Sequence, residues 1–398
     1  MVVIVVALLT PLLLHRLKLN FIPVVVAEIF MGLIIGESGL DLVHDNRWLE
    51  TFSSLGLIFL IFLSGLEIDF SPLGKRNNRR NKLYNQERGP NSFFVSMAVF
   101  IGIFIVSYGI SYLFVQAGFM ENIFFMSLIF STISLGVVVP TLKELYLMKT
   151  GIGQVILLIA VISNLVIMIL LAVFVSLHAG EGEKIWLLLV LFGVSFFLYL
   201  VGSMFKGKSD IKAMSSGTIQ IGVRAVFALI ILLVYISETI GAESILGAFL
   251  GGVVVALLAP EQKLVHNLDS FGYGFLIPVF FVMVGVELNI WQFLNEIKML
   301  AFIPLLLITL LLSKLIPIMI LRVWYDVRMV IVSGFLLSST LSLVIVITSI
   351  GERIGIITTE IRGTFILVAV IISIISPIIF KKFLPKEYAA DSDLKIAL

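Results

Sequence analysis

Residues 131–144 read STISLGVVVPTLKE, and residues 339–352 read STLSLVIVITSIGE. A knot of three hydroxyls, a run of aliphatic residues and a closing glutamate thus occurs twice, at an offset of 208. Two further pairs follow in the same order. GLEIDF at 65–70 matches GVELNI at 285–290, and MGLIIG at 31–36 lies over GGVVVA at 251–256, both at an offset of 220. The polar stretch 71–91, which the second copy lacks, absorbs the difference between the two offsets.

The surrounding chain sets the class. Of 398 residues, 60% are apolar and 13% charged, and the mean hydropathy of +1.16 lies outside the range of ordinary soluble domains. This composition is that of an all-α polytopic membrane protein. The absence of cysteine excludes disulfides, thiolate metal sites and cysteine nucleophiles. The four histidines, at 15, 44, 178 and 266, fall in predicted loops or at span ends without a metal-ligand partner at helical spacing, so zinc and haem sites are not expected. No cofactor and no nucleic-acid partner are implied by a net charge of +2.

A helix needs about 20 apolar residues to cross roughly 30 Å of hydrocarbon. Thirteen segments qualify, near 2–15, 21–37, 49–68, 92–117, 121–142, 151–177, 185–204, 216–237, 242–259, 271–290, 297–321, 328–350 and 357–380. The first lacks a basic leader and a small-residue cleavage site, and so reads as a span, not a signal peptide. With the N-terminus outside and the C-terminus in the cytoplasm, 20 of the 27 lysines and arginines fall in inside loops and five in outside loops, as the positive-inside rule requires. Six of the 20 lie in the loop 75–88. Spans 1–6 then correspond to spans 8–13, and because seven spans separate each helix from its mate, the copies enter the membrane from opposite faces. Such an inverted repeat is the architecture of alternating-access carriers, which hold substrate near the midplane between broken helices.

Within the first knot, Ser131, Thr132 and Ser134 precede Pro140. The proline cannot donate to the carbonyl of residue 136, so a kink or unwound turn is expected there. Ser339, Thr340 and Ser342 have no such proline, and an interruption in that span is less strongly specified. Freed carbonyls and hydroxyls are oxygen ligands for hard cations, although serine and threonine also hold membrane helices together.

The segments LGLIFLIFLSGLEIDF, STISLGVVVPTLKELYLMKTGIGQVILLIAVIS, ILGAFLGGVVVALL and PVFFVMVGVELNI together resemble the monovalent cation:proton antiporters, in particular the Kef-type and Nap-type bacterial branch, from about residue 20 to residue 380. The resemblance implies thirteen helices in two inverted six-helix repeats, a core bundle built around crossed discontinuous helices, and a panel through which two protomers form a homodimer in a bacterial-type plasma membrane. It implies repeats over 1–180 and 209–383, a linker helix over 181–208, a cytoplasmic tail over 384–398, and a core from 92–178 and 297–381. No glycine-rich nucleotide-binding fingerprint follows the last span, so the fused regulatory domain of Kef-type relatives is not expected.

The resemblance also assigns residues. The family's proton- and cation-binding aspartate, and the residue before it, fall on Asn164 and Ser163 in AVISNLVIMIL. The lysine of electrogenic members falls on Lys314, and Thr132 stands at the break of the fifth span. A monovalent cation, Na⁺ or K⁺, is therefore expected near Asn164 and Thr132, with Ser131, Ser163, Thr340 and Lys314 around it. An asparagine offers a carbonyl oxygen but cannot exchange a proton, so proton-coupled exchange is expected to be impaired. Asn164 is either a substitution for the aspartate or the mark of a paralogue whose coupling has moved. A non-transporting membrane sensor and an uncoupled cation pathway are the alternatives.

Three more residues enter as secondary candidates because charges and hydroxyls inside a membrane are costly. They are Glu28 in span 2, Arg224 in span 8, expected to form a structural ion pair, and Ser339. Glu67, Asp69 and Glu287 are expected at span mouths, and Glu144 and Glu352 as end anchors. The basic loop 75–88 reads first as the positive-inside determinant, with contact to anionic membrane lipid as the lesser reading.

Overall fold

The computed structural model describes residues 2–17, 24–43, 47–66, 92–178, 185–205, 221–239, 244–258, 260–288 and 297–385. The loop 75–88, Glu67, Asp69 and His44 lie outside these, as do most of the inside loop that carries Lys206, Lys208 and Lys212 and nearly all of the tail. Among the described residues there is no strand. Among the described residues, eight helices are long and apolar enough to cross a membrane, or nine if one bent pair is counted as a span, and four more apolar helices are shorter. The protein is an all-α, multi-pass membrane protein.

The chain divides into two compact units. The first comprises residues 1–70 and 168–290. It contains α1 (Val2–Arg16), α2 (Val24–Ile35), α3 (Arg47–Leu66), α8 (Ile185–Phe205), α9 (Ile221–Thr239), α10 (Ser244–Leu257), α11 (Gln262–Phe271) and α12 (Ile277–Val286). A π-turn at Gly272–Leu276 joins α11 to α12, directly before Pro278, which lacks the amide hydrogen that a regular turn would use. The helix therefore begins at Gln262, earlier than the 271–290 span expected from hydropathy, and His266 lies inside it.

Close backbone approach dominates this unit. A β-carbon on Gly32 would stand 2.0 Å from the Val282 carbonyl oxygen and 3.0 Å from the Gly285 α-carbon. One on Gly252 would stand 2.1 Å from the Phe62 carbonyl oxygen and 2.9 Å from the Gly65 α-carbon. These are the glycines of the doubled motifs: Gly32 and Gly252 are sequence mates, as are Gly65 and Gly285, and each packs against the mate of its partner's counterpart. Small residues let α2 pack on α12 and α3 on α10 at backbone contact, which substitutes for the hydrophobic drive that lipid removes. Gly252→Ala is expected to lower the free energy of unfolding in detergent by about 1–3 kcal/mol, because the obstructing atom is backbone and cannot turn aside.

The second unit comprises residues 71–167 and 291–398. Its helices are α4 (Ser92–Gln116), α5 (Ile123–Ser131), α6 (Leu135–Glu144), most of α7 (Gly151–His178), α13 (Ile297–Ile318), α14 (Val327–Leu337), α15 (Ser342–Arg353) and α16 (Thr359–Phe383). Phenylalanines pack the end of α5: the Phe130 ring lies 5.5 Å from that of Phe114 and 6.1 Å from that of Phe365, and Phe302 stacks on Phe119 at 5.0 Å.

Candidate ion-binding site

Both doubled knots are breaks. Helix α5 ends at Ser131 and α6 starts at Leu135, leaving Thr132, Ile133 and Ser134 extended. Helix α14 ends at Leu337 and α15 starts at Ser342, with a bend of 41° between the two halves. Pro140 does not cause the first break: it sits inside α6, eight residues past Thr132. The expectation of unwinding at residue 136 is therefore corrected, and the copy without a proline also breaks, at 338–341, whose mates 130–133 overlap the first break.

At both breaks the hydroxyls bond to carbonyls of the preceding turn. Ser131 Oγ donates to the Ser127 carbonyl at 2.7 Å and Thr132 Oγ1 to the Ile129 carbonyl at 2.7 Å. In the second knot, Ser338 Oγ donates to Gly334 O at 2.8 Å and Ser339 Oγ to Leu336 O at 2.7 Å. Side chains that bond to nearby carbonyls offer the backbone an alternative to continuing the helical ladder.

The two breaks cross at Thr132 and Thr340, whose hydroxyls are directly hydrogen-bonded. Because Thr132 uses its only hydroxyl hydrogen on Ile129, Thr340 is the donor. The Ser134 amide donates to the Ser339 carbonyl at 2.8 Å. All of Ser131, Thr132, Ser339 and Thr340 are fully buried. Irregular backbone at this depth requires such enclosure.

Intact neighbours close the free ends. Ser163 Oγ on α7 donates to the Ser131 carbonyl at 2.8 Å, and Ser373 Oγ on α16 donates to the Thr340 carbonyl at 3.2 Å. The Phe130 carbonyl takes a hydrogen bond from Lys314 Nζ, and Ser313 Oγ reaches it at 3.3 Å. The expected row of bare carbonyls is thus largely satisfied by side chains. Lys314 is fully buried and lies at the C-terminal end of α5, where a cation meets the negative pole of the half-helix. Among the described residues of this unit, the carboxylates Glu121, Glu144, Asp326, Glu352 and Glu360 all stand at helix ends or in loops, so Lys314 has no acidic partner at the crossing.

Asn164 follows Ser163 and is 4% exposed. Among the described residues its Oδ1 is buried without a hydrogen-bond partner, a condition shared by the hydroxyls of Ser107, Ser111 and Ser376. An orphaned carbonyl oxygen beside crossed half-helices is a ready ligand for a small cation. Asn164 is neutral and supplies no counter-charge for Lys314.

The remaining candidates lie elsewhere. Glu28 is buried in α2 of the first unit and makes no hydrogen bond or ion pair among the described residues. Arg224 is exposed in the first turn of α9. It has no ion pair among the described residues, contrary to expectation, because its long stem can carry the charge out of the apolar layer. The end-anchor reading of two glutamates holds: Glu144 pairs with Lys381 at 2.6 Å and Glu352 with Arg362 at 2.6 Å, tying α6 and α15 to opposite ends of α16. Sequence reasoning missed Ser373 and Ser313. Matching the tripeptides VIS at 161–163 and IIS at 371–373 would have found the first.

The Thr132–Thr340 contact is testable in a double-mutant cycle. Thr132→Val and Thr340→Val are each expected to cost about 0.5–1.5 kcal/mol of unfolding free energy. Their coupling is expected near 0.6 kcal/mol, as for other interhelical hydrogen bonds in membranes. Strict additivity of the two changes would show that the crossing is held without this bond.

Residues 4–386 match the family model described as "Sodium/hydrogen exchanger, transmembrane". A Bacillus subtilis protein named "Putative Na(+)/H(+) antiporter YjbQ" is 58% identical over 97% of this chain and 63% of its own length. The chain therefore spans less than two thirds of that relative. "Probable Na(+)/H(+) antiporter 3" of Methanocaldococcus jannaschii is 30% identical over 92% of both chains. The "Na(+)/H(+) antiporter" of Enterococcus hirae is 28% identical over 92% of this chain and 93% of its own. These relatives are transporters, not enzymes.

Proposed function

The chain belongs to the sodium/hydrogen exchanger family, and from that premise we propose that it is the scaffold of a monovalent cation:proton antiporter whose proton coupling is lost at Asn164. The cation is Na⁺, or K⁺ in the same coordination. It is bound near Asn164 and Thr132, with Ser131, Ser163, Thr340 and Ser339 shaping the crossing and Lys314 setting its charge. Access alternates between the two faces as a core from 92–178 and 297–381 moves against a panel that forms the homodimer. In an active form, such exchange serves pH homeostasis.

The observation that carries this reading is the buried crossing itself: two broken helices joined through Thr132 and Thr340, with an orphaned Asn164 oxygen beside it. Ser163 and Ser373 each bond to a broken end, one in either copy and one to two residues out of register, which supports two inverted six-helix repeats over 1–180 and 209–383, separated by a linker helix over 181–208 and followed by a tail over 384–398. The long spans, the bent pair and the four shorter apolar helices support a count of thirteen. The distribution of basic residues supports an external N-terminus and a cytoplasmic C-terminus in a bacterial-type plasma membrane.

The test is reconstitution of the chain and of its Asn164→Asp variant in proteoliposomes with a trapped pH dye. Gradients of Na⁺, K⁺ and choline are imposed in turn. Proton movement by the variant under Na⁺ or K⁺ but not choline is expected, and failure under both cations removes the antiporter reading. Full exchange by the asparagine form would move the proton site elsewhere, with Glu28 the first residue to examine. Cation flux without proton movement in both forms would identify an uncoupled pathway.

A further inference from the structure

We propose that the cleft between the first turns of α14 and the last turns of α16 is a binding site for an anionic phospholipid, with the headgroup phosphate on Arg328 and an acyl chain along an apolar wall. The cleft encloses about 550 Å³ within the second unit. Val327, Ile331 and Phe335 line it from α14 at helical spacing, and Ile379 and Phe383 line it from α16. Side chains four residues apart share one helix face, so the wall is a continuous aliphatic and aromatic strip along the span.

Polarity is confined to one end. Asp326 and Arg328 stand at the mouth. The Asp326 carboxylate is engaged as the cap of α14, accepting from the Arg328 amide at 2.9 Å. The Arg328 guanidinium donates Nε to the Phe383 carbonyl at 3.1 Å and makes no ion pair among the described residues. Arg328 is exposed, and a guanidinium bonded through Nε keeps its terminal nitrogens able to fork onto a phosphate. Lys382 adds a second cation beside the mouth, with Nζ 5.8 Å from the centre of the Phe383 ring. Lys381, by contrast, is held by Glu144.

Two observations select a lipid as the occupant. Trp324 is 41% exposed in the turn just before Asp326, and Arg322 is exposed two residues earlier. Aromatic and basic residues of this kind mark the headgroup level of a bilayer. Beside the cleft, Ile375 and Ile378 on α16 are exposed, so the groove runs toward hydrocarbon and not toward water. The mouth is cationic, the wall apolar and the opening lateral, which matches an anionic headgroup on an acyl chain. The inference rests on the membrane-spanning character of the chain and is independent of the role assigned to Asn164.

The experiment is native mass spectrometry of the delipidated full chain, titrated with dioleoyl phosphatidylglycerol or dioleoyl phosphatidylcholine. Retention of phosphatidylglycerol is expected to exceed that of phosphatidylcholine about fivefold, the effect of one basic side chain at an anionic surface. Arg328→Gln is expected to remove this preference and Arg328→Lys to keep most of it. Ile331→Trp, which fills the groove, is expected to reduce retention of both lipids. Equal retention of the two lipids by the unmodified chain overturns the proposal, as does an unchanged preference in Arg328→Gln. Binding of glycerol 3-phosphate as tight as that of the lipid would show that the wall has no part. Lipid binding seen only after removal of residues 386–398 would assign the cleft to the chain's own tail.

Discussion

Asn164→Asp is expected to raise cation-driven proton flux in proteoliposomes by about two orders of magnitude or more, the scale on which a positioned proton-transfer group acts. The amide oxygen of Asn164 is buried and orphaned, so a carboxylate of nearly the same shape enters without displacing a neighbour. What changes is charge. A single carboxylate binds either a proton or a cation, and competition between them is what couples their movements. In the aspartate form, lowering the pH on the side from which Na⁺ enters should raise the Na⁺ concentration needed for half-maximal flux, because protons occupy the same oxygen atoms. Any cation leak through the asparagine form should lack this competition. An aspartate form whose Na⁺ dependence is the same at high and low pH would show that the two ions do not share the site.

Lys314→Met is expected to destabilise the protein by about 1.5–3 kcal/mol, the range for a hydrogen bond to a charged group. Methionine preserves most of the volume in a fully buried position, so the loss reports the Phe130 carbonyl and the α5 terminus, not a cavity. Ser313 reaches that carbonyl at 3.3 Å and also bonds to Leu310 at 3.1 Å, and so compensates only in part. The measurement is the unfolding midpoint in detergent with Lys314→Arg as the charge-preserving control. A midpoint unchanged in Lys314→Met would mean that the half-helix end needs no cation. In the Asn164→Asp background, the same substitution should also alter the charge moved per cycle, which solid-supported membrane currents would detect.

The membrane class, the doubled motifs and the burial of Lys314 were legible because each depends on residue type over a long stretch or on one costly charge. The position of the first break came only from the resemblance, which put Thr132 there, while the residue-level signal pointed past it. Pro140 carries the strongest sequence signal for a helix defect, yet it is accommodated within α6, while Thr132 and Ser134 lie in the break through bonds that hydropathy does not register. Ser373 escaped for a related reason. A serine in an apolar helix usually bonds to its own preceding turn, as Ser333 does to Met329 at 2.7 Å, and only the position of a neighbouring break makes it turn outward. That Arg224 has no ion pair among the described residues has a different origin: near a helix end, water and headgroups compete with any protein partner.

The contact between Thr132 and Thr340 has a consequence for ancestry. On the proposed repeat, these are the same residue of a half-length chain, so their bond is a residue meeting its own image in an upside-down copy. The glycine contacts, Gly32 with Gly285 and Gly65 with Gly252, are one interface made twice by that self-pairing. A half-length peptide inserted in both orientations could form both without any further invention. Asn164 and Lys314 answer instead to Ile372 and Val106 at the offset of 208. The packing would then be inherited from a symmetric pair, while each ionic position arose without a counterpart in the other half, after the halves were joined and free to differ.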